Sequence, residues 1–196
     1  MKEAKFIPKE INKKNNDNYI FLDFDGVVNN MKSLVQGDEY VYKYNALVLK
    51  KIIERTNAKI VATSSVRPTS KEAFKDHKYL IQLRKYNIEV YDTLLDKRNE
   101  NWELMINDYI NTYKVKKYCI IDDEQMRFKH SKELQDHLVV PVLYQGLRLE
   151  HIQPVIDILD GKLGVYPSYI DFNESADEQC LRANRYHKYL IKKDEK

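Results

Sequence analysis

The chain has 196 residues, 43% of them hydrophobic, and a formal net charge of +3. That length favours one domain with short appendages, and the weak positive balance permits a polyanionic partner without demanding one. No apolar run reaches the roughly 18 residues of a membrane span, the polar, lysine-rich start does not read as a secretory signal, and two cysteines make neither a disulfide framework nor a zinc site; together these suit a reducing cytoplasm and no membrane partner.

In chain order, residues 1 to 18 read as a polar N-terminal segment, 19 to 163 as the folded domain and 164 to 196 as a C-terminal helical extension. Residues 19 to 23 are a short aromatic and β-branched run closed by Asp-Gly, the signature of a strand. Residues 31 to 43 read as a small flap turning at Gly37-Asp38. Residues 44 to 57 carry apolar positions at helical spacing, and 58 to 63 form a second buried strand. A helix over 70 to 87 precedes a third strand at 88 to 93; a helix over 101 to 114 precedes a fourth at 117 to 122. A fifth strand is expected over 137 to 143, and a last helix ends at Gly161 as its C-cap. Beyond it, "SADE" (175 to 178) fits a capping box that opens a tail helix.

Strands that are apolar throughout and alternate with helices predict an α/β fold: a Rossmann-like parallel sheet with helices on both faces. Ligands in such sheets bind beyond the carboxyl ends of the strands. Three predicted strands end in polar residues: Asp23 and Asp25; Thr63, Ser64 and Ser65; Asp122 and Asp123. Asp23 and Asp25, two apart in extended chain, are expected on one side. Converging carboxylates are unstable alone, and Mg²⁺ is the hard cation that suits a small oxygen-ligand site. The set fits phosphoryl transfer, with Asp23 as nucleophile, Asp25 as proton donor and acceptor, and Thr63 on phosphate oxygens. Each part has a plainer reading: Asp122-Asp123 or Ser64-Ser65 as helix caps, the five histidines as structural, and Tyr40, Tyr42 and Tyr44 as one face of a hairpin rather than a base-stacking surface.

"FLDFDGVV", "IVATSS" and "YCIIDD" resemble, in order, three motifs of the haloacid dehalogenase-like hydrolases over roughly residues 19 to 160. The resemblance implies Asp23 as nucleophile and Asp25 as acid/base. It implies Mg²⁺ held by Asp23, the Asp25 main chain and Asp122, with Asp123 as ligand or support. "SSVR" is similar to the compact phosphatase domains of polynucleotide kinase-phosphatase type, with Val66 where a tryptophan is usual; this makes Ser64 and Arg67 expected phosphate ligands. The family's lysine falls on Lys97, with Arg98, Lys114, Lys116 and Lys117 as rivals. The implied activity is Mg²⁺-dependent hydrolysis of a phosphomonoester, on a nucleic-acid end or nucleotide. No GxxxxGK sequence exists, so no kinase half is expected. The alternatives are a small-metabolite or protein phosphatase of the same fold, and a non-catalytic domain that binds nucleic acid or protein.

Overall fold

The computed structural model describes residues 18–30, 40–64, 70–94 and 101–163, the side chains of Lys71 and Ala73 excepted. The expected N-terminal segment, the bulk of the flap (31–39) and the C-terminal extension with its capping box lie outside the described residues.

Strands β1 (Asn18–Leu22), β2 (Lys59–Ala62), β3 (Val90–Thr93), β4 (Lys117–Ile121) and β5 (Leu138–Val139) form one sheet in the order β3-β2-β1-β4-β5. Every pairing is parallel. Leu22 pairs with Ala62 on one side and Ile121 on the other, so the carboxyl ends of the three central strands are level.

Side chains alternate across a strand, and here both faces are covered. Ile20, Leu22, Ile60 and Ile121 pack against α1 (Lys43–Thr56), α3 (Lys78–Arg84) and α6 (Ile152–Leu159). Phe21, Val61 and Ile120 face α4 (Trp102–Tyr113) and α5 (Lys132–Asp136) on the opposite side. Burying one such Ile, Leu or Phe stabilises by about 1.5–3 kcal/mol, so the central strands are a stiff support for whatever follows them. The helices stop and start as their end residues dictate. Asn101 accepts the Glu103 N–H at 2.8 Å and opens α4, and Asn57, in the left-handed region, closes α1. Gly161, at φ +82°, follows α6 as expected. No helix among the described residues is long and apolar enough to cross a membrane.

Two elements differ from expectation. The helix expected over 70 to 87 is two helices, α2 (Lys71–Lys75) and α3, broken at His77. Phe74 and Tyr79 both stack on Phe24, at ring separations of 6.2 and 4.8 Å. Five residues apart on one continuous helix they would point to different faces. The break lets both reach the same ring, and the His77 ring caps α3 while stacking between them. The fifth strand ends at Val139 because Pro141 brings no N–H to a ladder. Tyr42 and Tyr44 also lie at the start of α1, so the tyrosines are not alternate positions of a hairpin.

Candidate active site

Asp23 follows β1, and its N–H donates to the Ile121 carbonyl at 2.9 Å, which ties it to the end of β4. Asp122 and Asp123 follow β4 directly. Carboxylate oxygens of these three residues lie within 4.8 Å of one another. Asp23 is 1% and Asp122 0% exposed. Asp122 is not a helix cap: its Oδ1 accepts the Glu124 N–H at 2.8 Å ahead of the following turn, while Oδ2 faces the cluster.

Asp25 belongs to a different set. The chain leaves extended geometry after β1, and Asp25 opens the turn rather than sitting beside Asp23 on one strand face. Its Oδ1 accepts from the Tyr79 hydroxyl and from Asn29 Nδ2, the latter at 2.9 Å. Asn29 also donates to the Tyr79 oxygen and accepts the Gly26 N–H, at 2.9 and 2.8 Å. The turn itself is braced from behind. Leu147 N–H donates to Val27 O at 2.8 Å, and Asn45 Nδ2 donates to Leu147 O at 2.6 Å. Gly26 sits at φ +70°, and a Cβ there would lie 2.3 Å from Asp123 Oδ2. Glycine is required both by the backbone and by the carboxylate pressed against it.

Ser64 follows β2 and hydrogen-bonds Asp23. Thr63 is 1% exposed, and its hydroxyl oxygen has no hydrogen-bond partner among the described residues. A buried, unpaired hydroxyl at a strand end is expensive unless something polar visits it. Arg67, Lys97 and Arg98 lie outside the described residues. Lys114, Lys116 and Lys117 are excluded by position: they lie at the amino end of β4, roughly 15 Å of strand away from its carboxyl end.

Among the described residues, the cation that meets the cluster is Arg127, in the 3₁₀ turn Gln125–Phe128. Its Nη1 is 2.7 Å from Asp23 Oδ2 and 3.0 Å from Asp122 Oδ2, and its Nε is 2.7 Å from Glu124 Oε2. The guanidinium carbon lies 4.6 Å from the Trp102 ring centroid. Sequence reasoning sought a lysine before β4 and passed over an arginine just beyond the acid pair. The Asn29 contact had a signal, four residues after Asp25; Tyr79 had none.

Burial raises the Asp23 carboxyl above its ordinary range, against the opposing pull of Arg127. Burial and then the Asp23 charge push Asp122 well upward. The same two causes bring Asp123 up to about 7. Burial opposes the Arg127 charge, and the Asp122 and Asp23 carboxylates more than offset it. Three desolvated acids drawn around one point favour a cation there, and an all-oxygen set suits a hard divalent ion. The donor set therefore fits Mg²⁺.

No curated protein and no solved structure matches the chain significantly. A family model described as the HAD domain in Swiss Army Knife RNA repair proteins matches residues 19–152, from the second residue of β1 to the first residue of α6. That span takes in the three strand ends, both acid pairs and Arg127, and covers well over half of the sequence. The chain thus belongs to the HAD domains of Swiss Army Knife RNA repair proteins.

Proposed function

We propose that this domain is a Mg²⁺-dependent phosphatase that removes a terminal phosphate from a nucleic-acid end through an aspartyl-phosphate on Asp23. The observation that carries this reading is the meeting of Asp23, Asp122 and Asp123, with Asp25 held apart on Tyr79. The two aspartates of one short motif then have different surroundings, and different surroundings suit different roles. The family match supports a phosphatase acting in RNA repair.

Asp23, Asp122 and the main chain of Asp25 would hold Mg²⁺, with Asp123 as a further ligand or support. Mg²⁺ would supply charge neutralisation at the non-bridging phosphate oxygens. An Asp23 oxygen attacks phosphorus, and the bond to the ester oxygen breaks. That oxygen takes a proton from Asp25. Water then attacks the same phosphorus and gives its proton to Asp25, the bond to Asp23 breaks, and inorganic phosphate leaves. Both contacts of Asp25 with described residues fall on Oδ1, which supports Oδ2 as the oxygen that would exchange the proton with the ester oxygen and water. The Thr63 hydroxyl, the Ser64 hydroxyl and Arg67 would hold phosphate oxygens, with Lys97 as a further cation.

A base-bearing substrate is supported by Tyr40. It is 39% exposed and meets Tyr79 edge-on at 5.5 Å, one residue from Asp25, and Lys78 Nζ lies 3.4 Å from its ring centroid. An aromatic ring with a cation beside the site suits a nucleotide's base and backbone. A cytoplasmic setting belongs to the same proposal; Cys119 is a buried free thiol raised by that burial.

The test is phosphate release with Mg²⁺ from a 3′-phosphorylated oligoribonucleotide, a mononucleotide and an aryl phosphate. The expected result is preference for the oligonucleotide, and no turnover in Asp23→Asn with its fold intact by circular dichroism. Release from none of them sinks the enzyme reading; release from the small phosphates alone moves it to a metabolite phosphatase.

A further inference from the structure

Arg127 is held by more than the carboxylates it touches. The turn that carries it is fixed by buried Phe128, whose carbonyl accepts Gln135 Nε2 at 2.9 Å. Glu103, buried in α4, accepts the N–H groups of His130 and Ser131 at 2.7 and 2.9 Å. The side chain is 12% exposed, so this is no solvated surface arginine.

Its nitrogens divide into two groups. Nη1 bridges Asp23 Oδ2 and Asp122 Oδ2. Nε and the guanidinium plane engage Glu124 and Trp102, outside the cluster. A divalent ion held by Asp23 and Asp122 would compete with Nη1 for the same two carboxylates. Two cations in that space also repel. Binding of the metal is therefore an exchange, and Glu124 with Trp102 offers the guanidinium a place to stay after Nη1 withdraws.

We propose that Arg127 is a resident counter-cation and gate: it neutralises Asp23 and Asp122 in the metal-free protein, and Mg²⁺ displaces its Nη1 onto the Glu124–Trp102 side. Arg127 is thus a positioning residue that sets metal occupancy. The proposal rests on reading the cluster as the Mg²⁺ site, and it is independent of which phosphate is removed.

Two consequences are measurable without turnover. The apparent metal affinity is lowered by the fraction of molecules in which Nη1 fills the site, about tenfold if nine in ten do. Trp102 is the only tryptophan in the chain, so its emission reports the guanidinium moving against its ring.

The experiment is calorimetric titration of the full chain with Mg²⁺, followed in parallel by tryptophan fluorescence, for wild type and Arg127→Met. Arg127→Met is expected to bind Mg²⁺ about tenfold more tightly and to melt at a lower temperature when metal-free. Wild-type emission is expected to change with the same midpoint as the calorimetric binding, and the Arg127→Met emission to stay flat. Equal or weaker Mg²⁺ binding by Arg127→Met overturns the gate and leaves the phosphatase reading standing. If Arg127→Met does not fold, the wild type decides: saturable Mg²⁺ binding with silent Trp102 overturns the gate equally. Absence of Mg²⁺ binding in both proteins overturns the gate and the metal site together.

Discussion

The hydroxyl of Tyr79 donates to Oδ1 of Asp25, from a residue 54 positions further along the chain. Burial raises the phenol pKa, and the Asp25 contact raises it further, so the hydroxyl stays a donor throughout the neutral range. Tyr79→Phe keeps the ring on Phe24 and removes this donor together with the acceptor of the Asn29 amide. Turnover is expected to fall roughly tenfold, the scale of a lost orienting hydrogen bond of ~1.4 kcal/mol, with KM and melting temperature little changed. Steady-state kinetics on an aryl phosphate, with thermal unfolding alongside, checks both halves; an unchanged kcat contradicts a positioning role for Tyr79.

Asp123 gives the metal-free protein a pH signature. Its carboxyl titrates near 7 in the fold, against an ordinary 3.8. The folded state therefore keeps a proton that the unfolded chain has released. That stabilising contribution is full below about pH 4 and is lost as pH rises through about 7. In EDTA, the melting temperature of wild type relative to Asp123→Asn should fall across this window. Mg²⁺ should reverse the trend, because it competes with protons for the same oxygens. A constant difference between the two proteins from pH 4 to pH 8 contradicts the assigned burial of Asp123.

Gly26 and Gly161 separate two reasons for glycine. Both have positive φ, but a Cβ at Gly161 meets nothing within 4 Å among the described residues, whereas at Gly26 it meets Asp123 at 2.3 Å. Gly161→Ala should lose about 1–2 kcal/mol in urea unfolding and keep full activity. Gly26→Ala should lose more than that and lose activity and Mg²⁺ affinity as well, since Asp123 must move. Equal stability losses in the two variants would show that the close approach to Asp123 is immaterial.

Tyr40 is the residue through which a base-bearing substrate differs from a bare phosphate. Stacking of one base on an aromatic ring is worth about 1–3 kcal/mol. Tyr40→Ala is expected to raise KM for a phosphorylated oligonucleotide roughly 5- to 150-fold on that scale and to leave KM for an aryl phosphate unchanged. Parallel changes for both substrates would move Tyr40 from recognition to support of Tyr79.

The sheet and the strand-end acids were readable because their signals are local. Apolar runs such as 19 to 23 and 117 to 122, alternating with helices, are enough to give a parallel sheet, and a parallel sheet brings its carboxyl ends to one edge. Contacts between distant segments were not readable. The break at His77 follows from Phe74 and Tyr79 sharing Phe24, a partner 50 or more residues away that no helical periodicity reports. Arg127 was missed because its role depends on a 3₁₀ turn that folds it back over Asp122. The lysines near β4 misled for the complementary reason: closeness in sequence to a strand says nothing about which end of it they occupy.

The in-register pairing of Leu22 with Ile121 ties chemistry to biogenesis. While the chain emerges through β3, β1 has β2 on one side and an open apolar edge on the other, a state prone to mispairing. Docking of β4 closes that edge and, in the same event, delivers Asp122 and Asp123 to Asp23, and Arg127 to Asp23 and Asp122. Mutual repulsion among the acids thus arises only at the moment its remedy arrives. The acid cluster is complete only once the central sheet is complete, so assembly of the fold is at once assembly of the candidate site.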